Sequence, residues 1–297
     1  MKSKVYFSRE ITPEKVVEMY KLLGITLPGR VAVKLHSGEQ GNQNFLRPEF
    51  WKPMIDSLDG TVVECNTAYG DAFGGVRDHT PGHRKLMEAH GWSKHFRIDL
   101  MDADGPDDVL PIPNGKVLKQ NSVGKNMKHY DSMLVLAHFK GHPQGGYGGA
   151  LKQLSIGCAS AGGKALIHSG GVSTDNRECW DKHAEQDRFC EAMADAASSV
   201  VEYFKGRIAF INVMKNLSVD CDCCAVAEDP CMADIGILAS LDPVAIDQAC
   251  IDQIYAAKDD PGQAHFLERV ESRHGVHTIE AAAELGFGSR DYELIEV

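Results

Sequence analysis

Short runs of Val, Ile and Leu alternate along this 297-residue chain with stretches of helical pattern, and this alternation restricts the folds open to it. The runs are near-continuous, as expected for parallel strands that are buried on both faces. Such strands need helices between them and on each side of their sheet. The sequence therefore predicts an α/β protein with three layers, in which a mostly parallel sheet has helices on both faces.

The predicted elements cover most of the chain. Proline follows Thr12, Thr80 and Asp242, which marks three helix starts, because proline suits the first helical turn and these side chains can cap it. A closing loop and short strand are predicted within 286–297. The predicted strands are 5–8, 31–35, 61–65, 96–100, 132–138, 207–214 and 234–239. The predicted helices are 13–23, 48–58, 81–90, 185–205, 243–257 and 263–274.

The length of the chain and the lack of internal repeats favour a single α/β domain over residues 1–297. Two stretches, 102–121 and 162–182, show no clear helical or strand pattern. A boundary between two sub-domains is left open at either stretch.

The charge of the chain bears on its partners. It carries 31 Lys and Arg against 42 Asp and Glu, a net charge of −11, which repels phosphate backbones and predicts no nucleic-acid partner. The first eight residues lack the apolar stretch of a secretory signal, and no run of 18 apolar residues exists, so no membrane contact is expected. We expect a cytoplasmic protein, with a homo-oligomer left open.

Polar side chains follow several predicted strands at the point where each strand ends. Carboxyl ends of parallel neighbours meet at one edge of the sheet, which is where open α/β sheets bind ligands. The alternative is that these positions are polar only because loops are polar. The side chains are Lys34, His36, Asn66, His138, Lys140, the cysteines that follow strand 207–214, and Ser240 with Asp242.

Four of the nine cysteines lie within 11 residues, namely Cys221, Cys223, Cys224 and Cys231. Thiolates are soft, charged donors for zinc and iron, and C-x-C spacing lets two sulfurs reach one ion. Cys223 and Cys224 need a turn to share an ion, because adjacent side chains of an extended segment point in opposite directions. The sequence predicts metal ligands or redox groups here, and buried cysteines or a vicinal disulfide are the alternative.

A histidine pair and a glycine-rich segment form a second candidate region. His138 and His142 could share an ion across a helical turn, although Gly141 and Pro143 favour a loop. Gly148 and Gly149 close a glycine-rich run before a predicted helix that carries Lys152 in its first turn. Glycines there let the backbone approach an anion, and a helix N-terminus favours negative charge, whereas the simpler interpretation is a flexible turn.

The remaining candidates are interpreted as structural groups. The sequence predicts that Cys65, Cys158 and Cys250 pack in the core, because they lie in apolar runs. His83 and His168, like the other histidines outside the 36 and 138–142 segments, are predicted to be surface or core groups.

The chain resembles the family of uncharacterised "Fe–S centre" proteins, the domain of unknown function numbered 362. The resemblance spans nearly the whole chain in order. The segments that carry it are 33–39 (Val-Lys-Leu-His-Ser-Gly-Glu), 65–69 (Cys-Asn-Thr-Ala-Tyr), 138–142 (His-Phe-Lys-Gly-His), 148–152, 220–224 (Asp-Cys-Asp-Cys-Cys), 234–240, 242–247 and 286–294.

What this resemblance implies about cofactors is specific. Many members of the family carry an inserted ferredoxin-like module with C-x2-C-x2-C-x3-C runs, each able to hold a [4Fe–4S] cluster. This sequence has no C-x2-C-x2-C run, so any metal would use the core motif, mainly Cys221, Cys223 and Cys224, with His142 as a further candidate ligand. The expected cofactor is a zinc or iron ion or an iron–sulfur cluster.

Three functions are compatible with these residues. The first is a redox or metal-assisted enzyme in which Lys34, His36, His138, Lys140 and Lys152 bind a small anionic substrate or move protons, with Asn66, Gly148 and Gly149 as cofactor-binding residues. The second is a metal carrier without catalysis. The third is a metal-free enzyme with a cysteine nucleophile beside His138.

Overall fold

The computed structural model describes residues 2–70, 74–105 and 107–297. Its strands are β1 (Ser3–Ser8), β2 (Val31–Lys34), β3 (Thr61–Glu64), β4 (Ile98–Leu100), β5 (Asp108–Pro111), β6 (Gln120–Val123), β7 (Ser132–His138), β8 (Lys140–His142), β9 (Gly146–Gly148), β10 (Ile208–Met214), β11 (Gly236–Ser240) and β12 (Tyr292–Glu296). Its helices are α1 (Pro13–Leu22), α2 (Pro48–Ser57), α3 (Thr80–Ala89), α4 (Trp92–His95), α5 (Ala150–Leu154), α6 (Ala161–His168), α7 (Gln186–Tyr203), α8 (Pro243–Ala256), α9 (Gln263–Ser272) and α10 (Gly275–Glu284).

Eight strands form one sheet in the order β12-β1-β11-β10-β7-β2-β3-β4. The pairs within β10-β7-β2-β3-β4 are parallel, and β1 is parallel to β12. Only β11 runs against its two neighbours in this sheet. The prediction of a mostly parallel sheet is therefore confirmed.

Helices cover both faces of this sheet, and the central strands show how. Met133 and Val135 of β7 pack in one core with residues of α5, α7, α8, α9 and α10. Leu134 and Leu136 point to the opposite face and pack in a second core with residues of α1, α2, α3 and α4. Since successive side chains of a strand alternate between faces, a strand buried on both sides must be apolar throughout. The predicted three-layer α/β architecture is confirmed.

Two of the three predicted helix caps are present. The Thr12 hydroxyl accepts the Lys15 N–H at 3.2 Å, and Asp242 accepts the Val244 and Ala245 N–H groups at 2.9 and 3.0 Å. The prediction for Thr80 is wrong, because α3 already includes this residue and its hydroxyl accepts a hydrogen bond from the Asn66 side chain at 3.0 Å.

Strand β11 corrects part of the predicted ligand-binding edge. Because it is antiparallel, its carboxyl end lies at the opposite edge of the sheet, where Ser240 pairs with Val5 and Phe210. Ser240 and Asp242 are therefore remote from the groups that follow the parallel strands. Strand direction depends on long-range pairing, which an apolar run does not reveal.

The stretches 102–121 and 162–182, which show no clear pattern in the sequence, contain regular structure. The first holds β5 and the start of β6, and Pro106 within it lies outside the described residues. The second holds most of α6, whose Ile167 packs with Leu118 and Phe189 in a third, smaller core. A sub-domain boundary at either stretch stays a prediction. In the described part of the chain, no helix combines the length and apolar character that crossing a membrane requires.

Candidate functional site

A cavity of about 440 Å³ opens at the carboxyl ends of the parallel strands. This volume falls within the range of small-molecule sites, roughly 300–1,000 Å³. Segments that follow β2, β3 and β10 line it together with β8, α5 and α6, so the predicted convergence of these loops is present. The polar lining residues are Lys34, His36, Glu64, Thr67, Tyr69, Arg77, His142, Gln144, Lys152, Gln153, Lys164, His168, Trp180, Cys223 and Cys224.

Three metal-ligating side chains meet at one end of this cavity. One ligand atom each from His142, Cys221 and Cys223 lies within 4.8 Å of the other two, and we refer to these residues as the three-donor group. The Cys223 Sγ atom is 3.6 Å from His142 Nε2. Typical zinc bond lengths and a tetrahedral angle place a sulfur and a nitrogen ligand roughly 3.6 Å apart. The spacing thus suits two ligands of one ion.

A tight turn gives the cysteine loop, residues 221–224, its shape. The Cys224 N–H donates to the Cys221 carbonyl at 2.9 Å, and the Asn42 side chain donates to the carbonyls of Cys221 and Cys224 at 3.3 and 2.9 Å. The Tyr69 hydroxyl donates to the Cys223 carbonyl at 2.8 Å. The loop is therefore held by backbone carbonyls, which leaves its thiols to point elsewhere.

Asp222 anchors the same loop beneath the cavity. Its buried carboxylate accepts a hydrogen bond from His138 at 2.9 Å and pairs with Lys140 at 2.8 Å. The other His138 ring nitrogen donates to the Lys215 carbonyl. Burial alone would raise the pKa of Asp222, but His138 and Lys140 outweigh it and hold the pKa far below its usual range.

His142 is oriented by its own turn. Its Nδ1 accepts the Gly145 N–H at 2.8 Å and the Gln144 N–H at 3.2 Å. A neutral ring that accepts at Nδ1 carries its proton on Nε2, so His142 directs an N–H toward the Cys223 sulfur. Burial, followed by the charge of Lys152, holds the pKa of His142 well below its usual range. Burial likewise raises the pKa of the Cys221 thiol well above its ordinary value.

Cationic side chains dominate the rest of the lining. Lys34 and Lys164 are almost fully buried, at 2% and 5% exposure, and Lys152 lies with its Nζ 4.0 Å from Cys221 Sγ. Among the described residues, no carboxylate lies within 4 Å of any of these three amines. Burial lowers the pKa of Lys34 and Lys164, because a charged amine loses its hydration there.

A buried network of hydrogen bonds and ion pairs around Glu64 and Arg77 holds part of this lining in place. Glu64 accepts hydrogen bonds from the Ser37 N–H at 2.7 Å and from His83 at 2.7 Å. Arg77 lies between Glu39, at 3.0 Å, and Glu64, at 3.6 Å. Burial would raise the pKa of Glu64, but the His83 hydrogen bond and the Lys34 charge hold it far below its usual range. This network buries two carboxylates and gives each of them hydrogen-bonding and ionic partners.

The predicted site residues are distributed unevenly over this arrangement. Lys34, His36, Lys152 and Cys224 line the cavity, and Cys224 lies outside the three-donor group, so its role as a ligand stays a prediction. His138 and Lys140 bind Asp222 instead of lining the cavity. Asn66 contacts Thr80, His83 and Asp102, which places it in the supporting structure.

The predicted anion site at Gly148 and Gly149 is filled by the protein itself. Asp247 accepts the N–H groups of Ala150 and Leu151 at 2.8 and 2.9 Å, which are the first residues of α5. A Cβ atom at Gly149 would lie 2.5 Å from an Asp247 oxygen. The helix N-terminus therefore binds an internal carboxylate, and Gly149 makes room for it.

Several lining residues were not singled out from the sequence. Glu64 and Lys164 could have been noticed, since one is a charged residue within an apolar strand and the other lies in a helix next to small residues. Arg77 and His168 follow no strand and carry no local signal. The packing prediction fits Cys158 and Cys250, which are buried, whereas Cys65 is buried and also borders the cavity.

A family model described as "Domain of unknown function (DUF362)" matches residues 31–252. The chain belongs to the DUF362 family. The match covers the cavity and the three-donor group of this DUF362 protein. Among curated proteins, none matches the chain.

Two solved structures resemble this DUF362 protein at low identity. The lactate racemase apoprotein from Thermoanaerobacterium thermosaccharolyticum aligns at 13% identity and a TM-score of 0.40, over 70% of this chain and 50% of that one. A structural-genomics protein from Thermotoga maritima aligns at 11% identity and a TM-score of 0.40, over 92% of this chain and 59% of that one. The chain thus spans half the length of the first protein and 59% of the second.

Proposed function

We propose that this protein is an enzyme that holds one metal ion with Cys221, Cys223 and His142 and acts on a small organic anion in the adjoining cavity. The observation that carries the proposal is the convergence of three N and S donors at the wall of a cavity lined by amines. Catalytic metal sites typically combine three protein ligands with one open position for water or substrate. Zinc or ferrous iron suits this donor set.

The donor set favours a single ion over an iron–sulfur cluster. A [4Fe–4S] cluster is usually held by four thiolates, whereas only two of the three converging donors are sulfurs. Cys231 does not extend the set, because its thiol donates to the Leu217 carbonyl at 3.4 Å. A mononuclear site is therefore the better fit.

The hydrogen bonds to His142 Nδ1 oppose metal binding, but weakly. A histidine ligand normally donates from its second nitrogen, so the two backbone N–H groups must turn away when Nε2 binds an ion. Losing two such hydrogen bonds costs about 1–3 kcal/mol. Structural zinc sites bind with apparent free energies of roughly 10–16 kcal/mol, which is larger than this cost, so metal binding stays favourable.

The cavity lining provides the groups that would bind the anionic substrate. Lys152 lies beside Cys221 and close to where the ion would bind, so it can hold an anionic group of the substrate there. Burial, together with the charges of Arg77 and Lys140, keeps the pKa of His36 well below its usual range. His36 is then neutral, and because its Nδ1 accepts the Gly38 N–H at 3.0 Å, its proton lies on Nε2, which can donate a hydrogen bond to a bound anion.

Serine substitution tests the metal site. We expect Cys221→Ser and Cys223→Ser to lose nearly all of the zinc or iron that copurifies with the protein, measured by elemental analysis after anaerobic purification. Cys231→Ser is the matched control, since Cys231 lies ten residues after Cys221 and outside the three-donor group. This variant should keep the wild-type metal content. Equal metal content in all of these proteins would contradict the proposal.

A metal-free cysteine enzyme is the second candidate, because His142 directs an N–H toward Cys223 and could stabilise a thiolate. The same experiment separates the two candidates. Protein that copurifies without metal and has one thiol, Cys223, that reacts with iodoacetamide far faster than the other eight would support this function. Slow, uniform alkylation would rule it out.

A further inference from the structure

Two buried lysines at the inner end of the cavity have hydrogen-bond donors left over. Lys34 Nζ donates to the Leu35 carbonyl and to Gln153 Oε1 at 2.9 Å, and Lys164 Nζ donates to the Ala159 carbonyl at 2.6 Å. An ammonium group has three N–H donors. One donor of Lys34 and two of Lys164 therefore remain without an acceptor among the described residues. We call these two residues the lysine pair.

The charge of the lysine pair is only partly compensated. Glu64 acts on both amines and Asp102 acts on Lys164, but the oxygens of both carboxylates already accept other hydrogen bonds. Arg77 pairs with Glu39 and also lies 3.6 Å from Glu64. Neither amine of the lysine pair has a carboxylate within 4 Å among the described residues, so the pair lacks a direct ionic partner. Buried charges in proteins are normally paired.

Lys152 is a further cation without a carboxylate partner, if the proposed function holds. A divalent ion and the two thiolates of the three-donor group would be neutral together. Lys140 is paired with Asp222 at 2.8 Å, whereas Lys152 lies beside Cys221 and has no carboxylate within 4 Å among the described residues. The lysine pair and Lys152 therefore each have N–H donors to offer to a ligand.

His168, which also lines the cavity, adds no charge. Burial lowers its pKa to about 3, so its ring is neutral. Its Nδ1 is buried and has no hydrogen-bond partner in the described part of the chain. His168 thus provides an uncharged polar group in the lining.

We infer that the substrate is a dicarboxylate, with one carboxylate on the lysine pair and the other beside Lys152 and the three-donor group. This inference rests on the proposed function for its second carboxylate. A carboxylate accepts several hydrogen bonds, which matches the three free donors of the lysine pair.

Calorimetric titration of the protein as purified tests this inference. The probes are dicarboxylates with three to eight carbons, monocarboxylates of equal carbon number, and inorganic phosphate. At the best length, we expect the dicarboxylate to bind about 10- to 100-fold more tightly than its monocarboxylate, the gain expected from hydrogen bonds to charged groups.

Two variants test the carboxylate that we place on the lysine pair. Lys164→Met should reduce the preference for the dicarboxylate to within about threefold, and Lys34→Met should act in the same direction. Lys205→Met is the control, because Lys205 is exposed and pairs with Glu202 on the surface. Circular dichroism of each variant checks that it is folded.

The outcomes are distinct. Four results would each overturn the inference. They are no preference for dicarboxylates, a preference that survives in both lysine-pair variants, tighter binding of phosphate than of any dicarboxylate, and binding of none of the acids. Metal content is measured on the same samples. Wild-type metal content without a preference for dicarboxylates would contradict this inference alone. A preference for dicarboxylates in protein without metal would contradict the metal proposal alone.

Discussion

Asp222 shows how one residue between two cysteines fixes the geometry of the site. Its side chain points away from the cavity to His138 and Lys140, and its carbonyl accepts the Glu39 N–H at 2.7 Å. The flanking cysteines therefore project toward His142. His138 and Lys140, predicted as catalytic, bind this anchor, so at the residue scale their contribution is to position the loop.

Asp222→Asn should destabilise the protein at neutral pH, because Lys140 is then buried without a counter-charge. We expect a loss of roughly 3–5 kcal/mol in the free energy of unfolding, measured by urea denaturation at pH 7. The pKa of Asp222 is lower in the folded than in the unfolded chain, so its stabilisation is complete above a pH of about 4 and is lost as the pH falls further. The difference from wild type should therefore shrink between pH 4 and pH 2.

The control for this experiment is Glu202→Gln, which breaks an exposed pair with Lys205 and should change stability by no more than about 0.5 kcal/mol. A pH-independent difference between Asp222→Asn and wild type would contradict the role of the carboxylate charge.

At the scale of elements, α5 is placed by a carboxylate from another helix. Asp247 of α8 accepts hydrogen bonds from Ala150, Leu151, Asn212 and Tyr147, all of them buried. This ties the start of α5 to α8 and β10 and thereby sets the position of Lys152 at the cavity. Gly149 permits this packing, because a side chain at this position would collide with Asp247.

Gly149→Ala separates this structural role from the predicted anion-binding role. We expect a loss of about 1–3 kcal/mol in the free energy of unfolding through overpacking against Asp247. Gly105→Ala is the control, since no atom lies within 4 Å of the added methyl position. Unchanged stability together with weakened binding of the cavity ligand would support direct anion binding by Gly149 and contradict our interpretation.

At the scale of the whole molecule, segments distant in sequence hold the site together. Tyr69 follows β3, donates to the Cys223 carbonyl at 2.8 Å, and receives a hydrogen bond from Arg77 at 2.9 Å. Arg77 in turn contacts Glu39 after β2. The order of strands in the sheet brings these three loops side by side, and the hydrogen bonds fix the cysteine loop against them.

Tyr69→Phe should weaken metal binding although Tyr69 is no ligand. Groups that orient metal ligands typically contribute 10- to 100-fold in affinity, so we expect a loss of about tenfold, measured by competition with a chromophoric chelator. Tyr130→Phe is the control, because the hydroxyl that it removes contacts Asp99 and Tyr130 does not line the cavity. This variant should bind metal with wild-type affinity. An affinity of Tyr69→Phe within about twofold of wild type would show that the loop keeps its shape without this hydrogen bond.

Local patterns in the sequence were sufficient to predict much of the fold. Near-continuous apolar runs indicated strands buried on both faces, and the caps at Thr12 and Asp242 follow from the chemistry of single side chains. The reversed direction of β11 and the helix α6 were missed, because strand direction and short helices rich in glycine depend on contacts made elsewhere in the chain.

The sequence by itself determined the α/β layers and predicted a candidate site at the carboxyl edge of the sheet that includes the cysteine loop, since each depends on residue types within a few positions of one another. Only the tertiary structure decided which groups face the cavity. Arg77, Lys164 and His168 come from separate segments, and His138, Lys140 and Gly149 turned out to bind the protein's own carboxylates. The physical reason is that a polar side chain at the rim of a sheet binds whichever opposite charge folding places nearest to it, and that partner is far away in sequence.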